Sequence, residues 1–259
     1  MTLYLLLALC PMNILLTNDD SISFIGLTAL YEELSQMANV YIFAPAREKS
    51  GTSQALSIYD DVYVQPQNEH IYIVNGFPVD CVNIGLHSNI VNIKFDLVIS
   101  GINKGVNMGD DVYYSGTVGA ARHSFIHGYP SIAVSCGYLD ETGDFKTISK
   151  FLIEFINDNQ SMLKQPMLLN INHPVPAKNA LGIKWTKLGK RLYRDTYKRT
   201  PIDHSEFYFN LGGSELFYKE EEGSDFEAYY NNYVSITPLT RDATNYQLLQ
   251  KQTKGTQFI

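Results

Sequence analysis

Residues 12–45 read MNILLTNDDSISFIGLTALYEELSQMANVYIFAP, and the order of patterns in that stretch sets the fold class. MNILLT is a short, nearly unbroken apolar run of strand length. From Gly26 to Met37 the apolar residues Leu27, Leu30, Tyr31 and Leu34 recur at helical spacing instead. VYIFAP returns to strand character, and Pro45 closes it because proline has no N–H to give a sheet. Strand, helix, strand in this spacing is the unit that builds a parallel sheet with crossover helices.

The pattern continues outward. HIYIVNG, FDLVISG, PSIAVSC and PMLLNINHP read as further strands, with helices predicted over Val79 to Leu86 and around Ile148 to Ile156. Their apolar runs are continuous rather than alternating, as required when helices cover both faces of a sheet. A doubly wound α/β domain is therefore expected over residues 12–173, preceded by an amino-terminal extension, 1–11. From 174 to 259 the texture changes: SEFYFNL and DFEAYYNNYVSITPL alternate with charged turns and read as hairpins and an arm packed on the same domain. Tyr229, Tyr230, Tyr233, Val234, Ile236 and Leu239 make a strand-like apolar tail expected to need a partner subunit for burial.

With 45% hydrophobic and 18% charged residues the chain is globular, and its formal net charge of −7 disfavours binding to polymeric nucleic acid or an anionic membrane. Three widely spaced cysteines, Cys10, Cys81 and Cys136, form no CxxC pair and fit a reducing compartment. The apolar start MTLYLLLALCP lacks a basic n-region and is too short to span a bilayer. Leu7 stands three residues before Cys10, as in a lipoprotein signal, but Leu9 occupies the place of a small residue, so the expected location is cytoplasmic.

Ligands of open α/β sheets bind beyond the carboxyl ends of the strands. Three such ends are polar here: Asn18-Asp19-Asp20-Ser21, the loop Arg47 to Ser53, and Asn103-Lys104-Gly105. Two carboxylates with hydroxyl and amide oxygens are hard donors, suited to Mg2+, Mn2+ or Ca2+ rather than to zinc. An adjacent Asp pair at a turn also serves as a helix cap, and the pair alone does not separate the two. Further on, Ser115 stands where an N-cap belongs, and Gly116, Thr117, Gly119 and Ala120 keep the following turns free of bulk. Such a helix start aims unsatisfied N–H groups at an anion; it also permits close packing on a sheet. Arg47, Lys49 and Lys104 are cations in position to meet substrate charge or to sit in solvent.

Other chemistries are excluded by their missing motifs. There is no GxxxxGK[ST] loop, no GxGxxG after the first strand, no one-residue gap between the carboxylates as in haloacid dehalogenase-type phosphatases, and no GxSxG elbow. His123 and His127 share a helix face, but no Glu follows His123 as HExxH requires, so they are read as packing or surface histidines.

LLTNDD (15–20), APxxxxSGxS (44–53) and SGINxGxNxGDDVxYSGTVGAA (100–121) resemble the SurE survival protein family of acid phosphatases and nucleotidases. The likeness extends through GYPSIAVS, LLNIN, KLGKRLY, EGSDF and YVSITPL, hence over everything after Met12. It implies a Rossmann-like, mostly parallel α/β/α fold whose carboxyl-terminal hairpin arm is used in a homodimer or homotetramer. It implies one divalent cation per subunit held by Asp19, Asp20, Ser50 and Asn103, with Asp19 and Asp20 catalytic. Its implied activity is release of phosphate from nucleoside 5'-monophosphates, with 3'-monophosphates and short polyphosphate as further substrates in some members. Asn18, Gly51, Ser115, Gly116 and Thr117 are the candidates for orienting the phosphate. The alternative is a non-catalytic metal- and nucleotide-binding protein of the same fold. One departure stands out: the family reads NDDG, whereas Ser21 follows the aspartates here, which is expected to shift the turn or to strain a left-handed residue.

Overall fold

The computed structural model describes residues 11–194, 196–202, 206–212 and 216–253, so most of the amino-terminal extension lies outside it. The first half runs β1 (Met12–Thr17), α1 (Ile25–Leu34), β2 (Ala38–Pro45), β3 (Val64–Pro66), β4 (Ile71–Val74), α2 (Pro78–His87) and β5 (Leu97–Lys104). A 3-10 turn (Gly109–Tyr113) then leads into α3 (Gly116–Ile126), β6 (Ser131–Cys136), α4 (Phe145–Asp158) and β7 (Leu168–His173). The last third holds β8 (Ile183–Trp185), β9 (Lys190–Tyr193), β10 (Thr196–Pro201), β11 (Phe207–Gly212), β12 (Leu216–Lys219), α5 (Asp225–Tyr230), β13 (Val234–Leu239) and α6 (Tyr246–Thr253).

One sheet of nine strands, in the order β3-β4-β2-β1-β5-β6-β7-β13-β8, forms the middle layer. From β4 to β7 it is parallel throughout. The alternation of side chains along a strand assigns the two faces. Ile14 and Leu16 point into the cluster made by Leu27, Leu30, Leu34, Ile148, Leu152 and Ile156 of α1 and α4. Leu15 points the other way, to Cys81, Val82 and Ala120 of α2 and α3. Helices therefore cover both faces, and each fully buried Leu contributes roughly 1.5–3 kcal/mol from removal of apolar surface from water. The expected doubly wound α/β/α architecture is what the chain adopts.

The carboxyl-terminal tail differs from its sequence reading. Asp225–Tyr230 is a helix, capped by Ser224, whose hydroxyl accepts from the Glu227 N–H. Val234–Leu239 pairs antiparallel with β7 on one side and parallel with β8 on the other. Val234 and Ile236 are thereby fully buried within this one chain and need no partner subunit. The reason is the open edge of β7, whose unpaired backbone groups attract a strand with an apolar inner face. Exposed apolar surface is found instead on the β10–β11 hairpin, at Tyr197, Tyr208 and Phe209, and on α6 at Tyr246 and Leu248. No helix among the described residues is long and apolar enough to cross a membrane.

His123 turns out to be a packing histidine. It is buried near the end of α3, with its ring centroid 4.5 Å from that of His127, whose Nδ1 lies 3.2 Å from His87 Nε2. Burial, reinforced by the neighbouring His127 and His87, pushes the His123 pKa from 6.5 down to about 4. A histidine depressed in the folded state contributes stability above its unfolded pKa and loses it as the pH falls toward the folded one. Between pH 7 and pH 5 the wild-type melting temperature should consequently fall further than that of His123→Phe; parallel falls in the two proteins would count against this.

Candidate functional site

The carboxyl ends of β1, β2 and β5 meet the start of α3, and there two adjacent carboxylates are buried. Asp19 is only 3% and Asp20 only 5% exposed, so solvent does little to support either charge. The Thr117 hydroxyl donates to Asp19 Oδ1, and the Thr117 backbone N–H bonds the same side chain. Asp19 thus lies at the positive end of α3, whose first turn is fixed by the Ser115 hydroxyl accepting from the Val118 N–H at 3.1 Å. Gly116 makes this approach possible: a Cβ there would stand 2.9 Å from Asp19 Oδ2 and 3.0 Å from Asp19 Cβ.

Asp20 is held from the other side. Its Oδ2 accepts the Lys104 backbone N–H at 3.0 Å, while its buried Oδ1 has no hydrogen-bond partner. That contact depends on an irregularity in β5, where the register against β6 shifts between Ser100 and Asn103. A bulge re-aims the side chains that follow it. Gly101 is required at this point, since its φ is +139° and a Cβ would fall 2.2 Å from the Val134 carbonyl oxygen. Asn103 donates its amide hydrogens to the carbonyls of Lys104 at 3.1 Å and Gly105 at 2.7 Å, which leaves Oδ1 as the free acceptor.

The remaining expected residues divide. The Asn18 amide donates to the Ser21 carbonyl at 2.8 Å and keeps a buried, unpartnered Oδ1 beside the pair. Ser50 is exposed, and its hydroxyl donates to Glu48 Oε1 at 2.9 Å; Glu48 in turn lies 3.1 Å from Lys104 Nζ, and Nζ 3.7 Å from Asp20 Oδ1. Ser50 is therefore linked to the carboxylate pair through Glu48 and Lys104. Gly51 follows it at φ +72° in an open turn. The Thr117 hydroxyl, expected to orient phosphate, is engaged by Asp19. Glu48 was not singled out from sequence, and no local signal marks it: its contact with Lys104 spans 56 positions of chain.

The electrostatics of this arrangement favour a cation. Burial raises the Asp19 pKa, and burial together with the charge of Asp19 lifts that of Asp20 to about 7, against the lowering effect of the Lys104 N–H. Among the described residues no three His, Cys, Asp or Glu side chains group as metal ligands. The donors on hand are two carboxylates and the neutral oxygens of Asn18, Asn103 and Ser50. Orphaned oxygens at Asp20 and Asn18 with a hard, mixed donor set fit Mg2+ or Mn2+, which complete their shells with water. Ser21 sits in the left-handed region at φ +95°, the strained outcome anticipated from the missing glycine, with its hydroxyl 3.0 Å from that of Ser23.

Residues 14–195 match the family described as "Survival protein SurE". The chain is 49% identical over 239 residues to "5'-nucleotidase SurE" of Leptospira interrogans serogroup Icterohaemorrhagiae serovar copenhageni, covering 92% of this chain and 95% of the relative. To the protein of the same name from Leptospira biflexa serovar Patoc it is 43% identical over 244 residues, covering 93% and 98%. The crystal structure of the SurE protein from Aquifex aeolicus superposes with a TM-score of 0.79 at 34% identity, covering 93% of this chain and 98% of that one.

The turn after the carboxylates offers a direct check of strain. Glycine adopts φ near +95° without the Cβ clash, and relief of one such residue is worth about 1 kcal/mol. Ser21→Gly should raise the melting temperature by roughly 2–4 °C for a chain of this size. An unchanged or lower melting temperature would show that the Ser21 side chain, through Ser23, stabilises the turn more than its backbone strains it.

Proposed function

The chain belongs to the SurE survival protein family, and on that basis we propose that it is a divalent-metal-dependent phosphomonoesterase acting on nucleoside 5'-monophosphates. The observation that carries the proposal is the buried Asp19–Asp20 pair, facing the start of α3 with one carboxylate oxygen that accepts no hydrogen bond. Asp19, Asp20 and Asn103 would hold the cation, and Ser50 would complete the set if its hydroxyl left Glu48. The cation supplies positive charge to a phosphate oxygen, the form of assistance on which phosphoryl transfer depends.

The chain's own groups provide positioning. Thr117 fixes the Asp19 carboxylate, the Lys104 N–H fixes that of Asp20, and the first turn of α3 contributes its positive end to the same pocket. Asn18, Ser115, Gly116 and the Gly51 turn border the volume in which a phosphoryl group meets these donors. Water attacks phosphorus, the bond to the nucleoside oxygen breaks, and that oxygen leaves with a proton; the products are nucleoside and inorganic phosphate. 3'-Monophosphates and short polyphosphate present the same terminal group and belong in the substrate panel. A cytoplasmic setting accords with the two buried free cysteines, Cys81 and Cys136.

Assembly is the second part of the proposal. The exposed aromatics of the β10–β11 hairpin are too apolar a surface to leave in water, and they support a homodimer or homotetramer built through this arm. Light scattering should give a mass of at least two chains, reduced by a Tyr208→Ser and Phe209→Ser double change; a wild-type monomer at micromolar concentration rejects the arm.

Activity is tested by phosphate release from a panel of nucleoside monophosphates with Mg2+ or Mn2+. Release should stop on chelation and return with metal. Asp20→Asn, which removes one of two anionic ligands, should weaken metal binding about tenfold or more. Tight metal-dependent binding of nucleotide without any phosphate release would replace the enzyme by a binding protein.

A further inference from the structure

We propose that Lys104 is a substrate-binding residue whose ammonium group, resting between Glu48 and Asp20, takes up an oxygen of the phosphoryl group when substrate arrives. This rests on the phosphomonoesterase function proposed above.

Three cations flank the site in sequence, and the structure separates them. Lys49 Nζ lies 4.9 Å from the ring centroid of Phe77, committed to an aromatic face. Arg47 is exposed. Lys104 alone is tied to the carboxylate pair, by its backbone N–H on Asp20 Oδ2 and by Nζ at 3.7 Å from Asp20 Oδ1. The backbone bond fixes the root of the side chain beside Asp20, and the contacts of Nζ with Asp20 and Glu48 place the ammonium at the same point. Its side chain retains 31% exposure, leaving a face open to an incoming ligand.

Charge supplies the reason for a lysine here. Three carboxylates, Asp19, Asp20 and Glu48, surround this point, and a bound dication leaves one negative charge uncompensated. A phosphate monoester, itself an anion, would be repelled. Lys104 cancels the excess, so the loaded pocket receives the phosphoryl group without net repulsion. Release from Glu48 is easy, since that carboxylate is 52% exposed and a solvated ion pair of this kind is weak. The phosphoryl group, which carries more charge than a single carboxylate, is the better partner.

Lys104→Met, Lys104→Arg and Glu48→Gln separate this role from a structural one, with inorganic phosphate as the probe. Lys104→Met should raise the dissociation constant of inorganic phosphate, titrated calorimetrically in the presence of metal, by about tenfold, and the KM for a nucleoside monophosphate with it. Its metal affinity, titrated calorimetrically without substrate, should rise severalfold, because a positive charge beside Asp20 has gone. Lys104→Arg should keep phosphate binding within about threefold of wild type. Glu48→Gln, which removes the competing anion, should tighten it by a similar factor. The proposal is overturned if Lys104→Met leaves phosphate binding unchanged, or if it loosens phosphate and metal together, the mark of a residue that merely supports Asp20. Should Lys104→Met fail to fold, Glu48→Gln decides by itself: phosphate bound no more tightly than by wild type rejects the role. A wild-type protein that binds phosphate but hydrolyses no ester would reject the enzymatic function while leaving the Lys104 experiment fully readable.

Discussion

Two neighbouring carboxylates removed from water are the constraint around which this molecule is arranged. An isolated buried carboxylate costs several kcal/mol unless hydrogen bonds or opposite charge meet it, and adjacency adds repulsion. Each carboxylate is met by a separate part of the chain. Asp19 is served by the first turn of α3 and Asp20 by the backbone of β5, so displacement of either element leaves a buried carboxylate unmet. Gly116 and Gly101 are the two places where this demand overrides side-chain volume: at one a helix must touch a carboxylate, at the other a strand must bulge past its neighbour.

The neutral residues follow from the same demand. The amide groups of Asn18 and Asn103 give their hydrogens to nearby carbonyls, and this fixes which end of each amide is left as an acceptor. Oxygen atoms are thereby oriented before any ligand binds, which lowers the cost of organising a hard-cation site. Strain at Ser21 belongs with this set, because the turn that carries it follows directly on the two carboxylates and its carbonyl accepts the Asn18 amide.

Sequence patterns conveyed the sheet well because the central strands are buried on both faces, leaving apolar runs that are nearly continuous at β1, β5 and β6 and interrupted by Asn170 and Asn172 at β7. Ser115 was readable as a cap because capping is local, and the contact partner sits three residues away. Val234–Leu239 is the strand its pattern indicates, but the segment before it is not. The tyrosines of Asp225–Tyr230 suggest a strand, whereas Ser224 followed by Asp225 and Glu227 is a helix start. Lys104 was visible only as one of several cations, and Glu48 not at all, since their pairing exists only after β2 and β5 have been brought to one edge. The engagement of Thr117 by Asp19 is likewise a product of topology, and no spacing rule contains it.

The insertion of β13 between β7 and β8 bears on how the chain reaches its native state. The strands and helix that carry the carboxylate pocket are complete by residue 126, but the sheet to which they belong is not closed until residues 234–239 find the edge of β7. During synthesis, β7 must emerge and wait for some sixty residues with one edge paired to β6 and the other unpaired. Such a wait is slow, because distant segments must meet before their pairing brings any return, and it leaves an adhesive edge open to other nascent chains. The ribosome thus delivers the reactive end of this protein early and its closure late, making the finishing strand, far from the chemistry, the step at which a productive molecule and an aggregate part company.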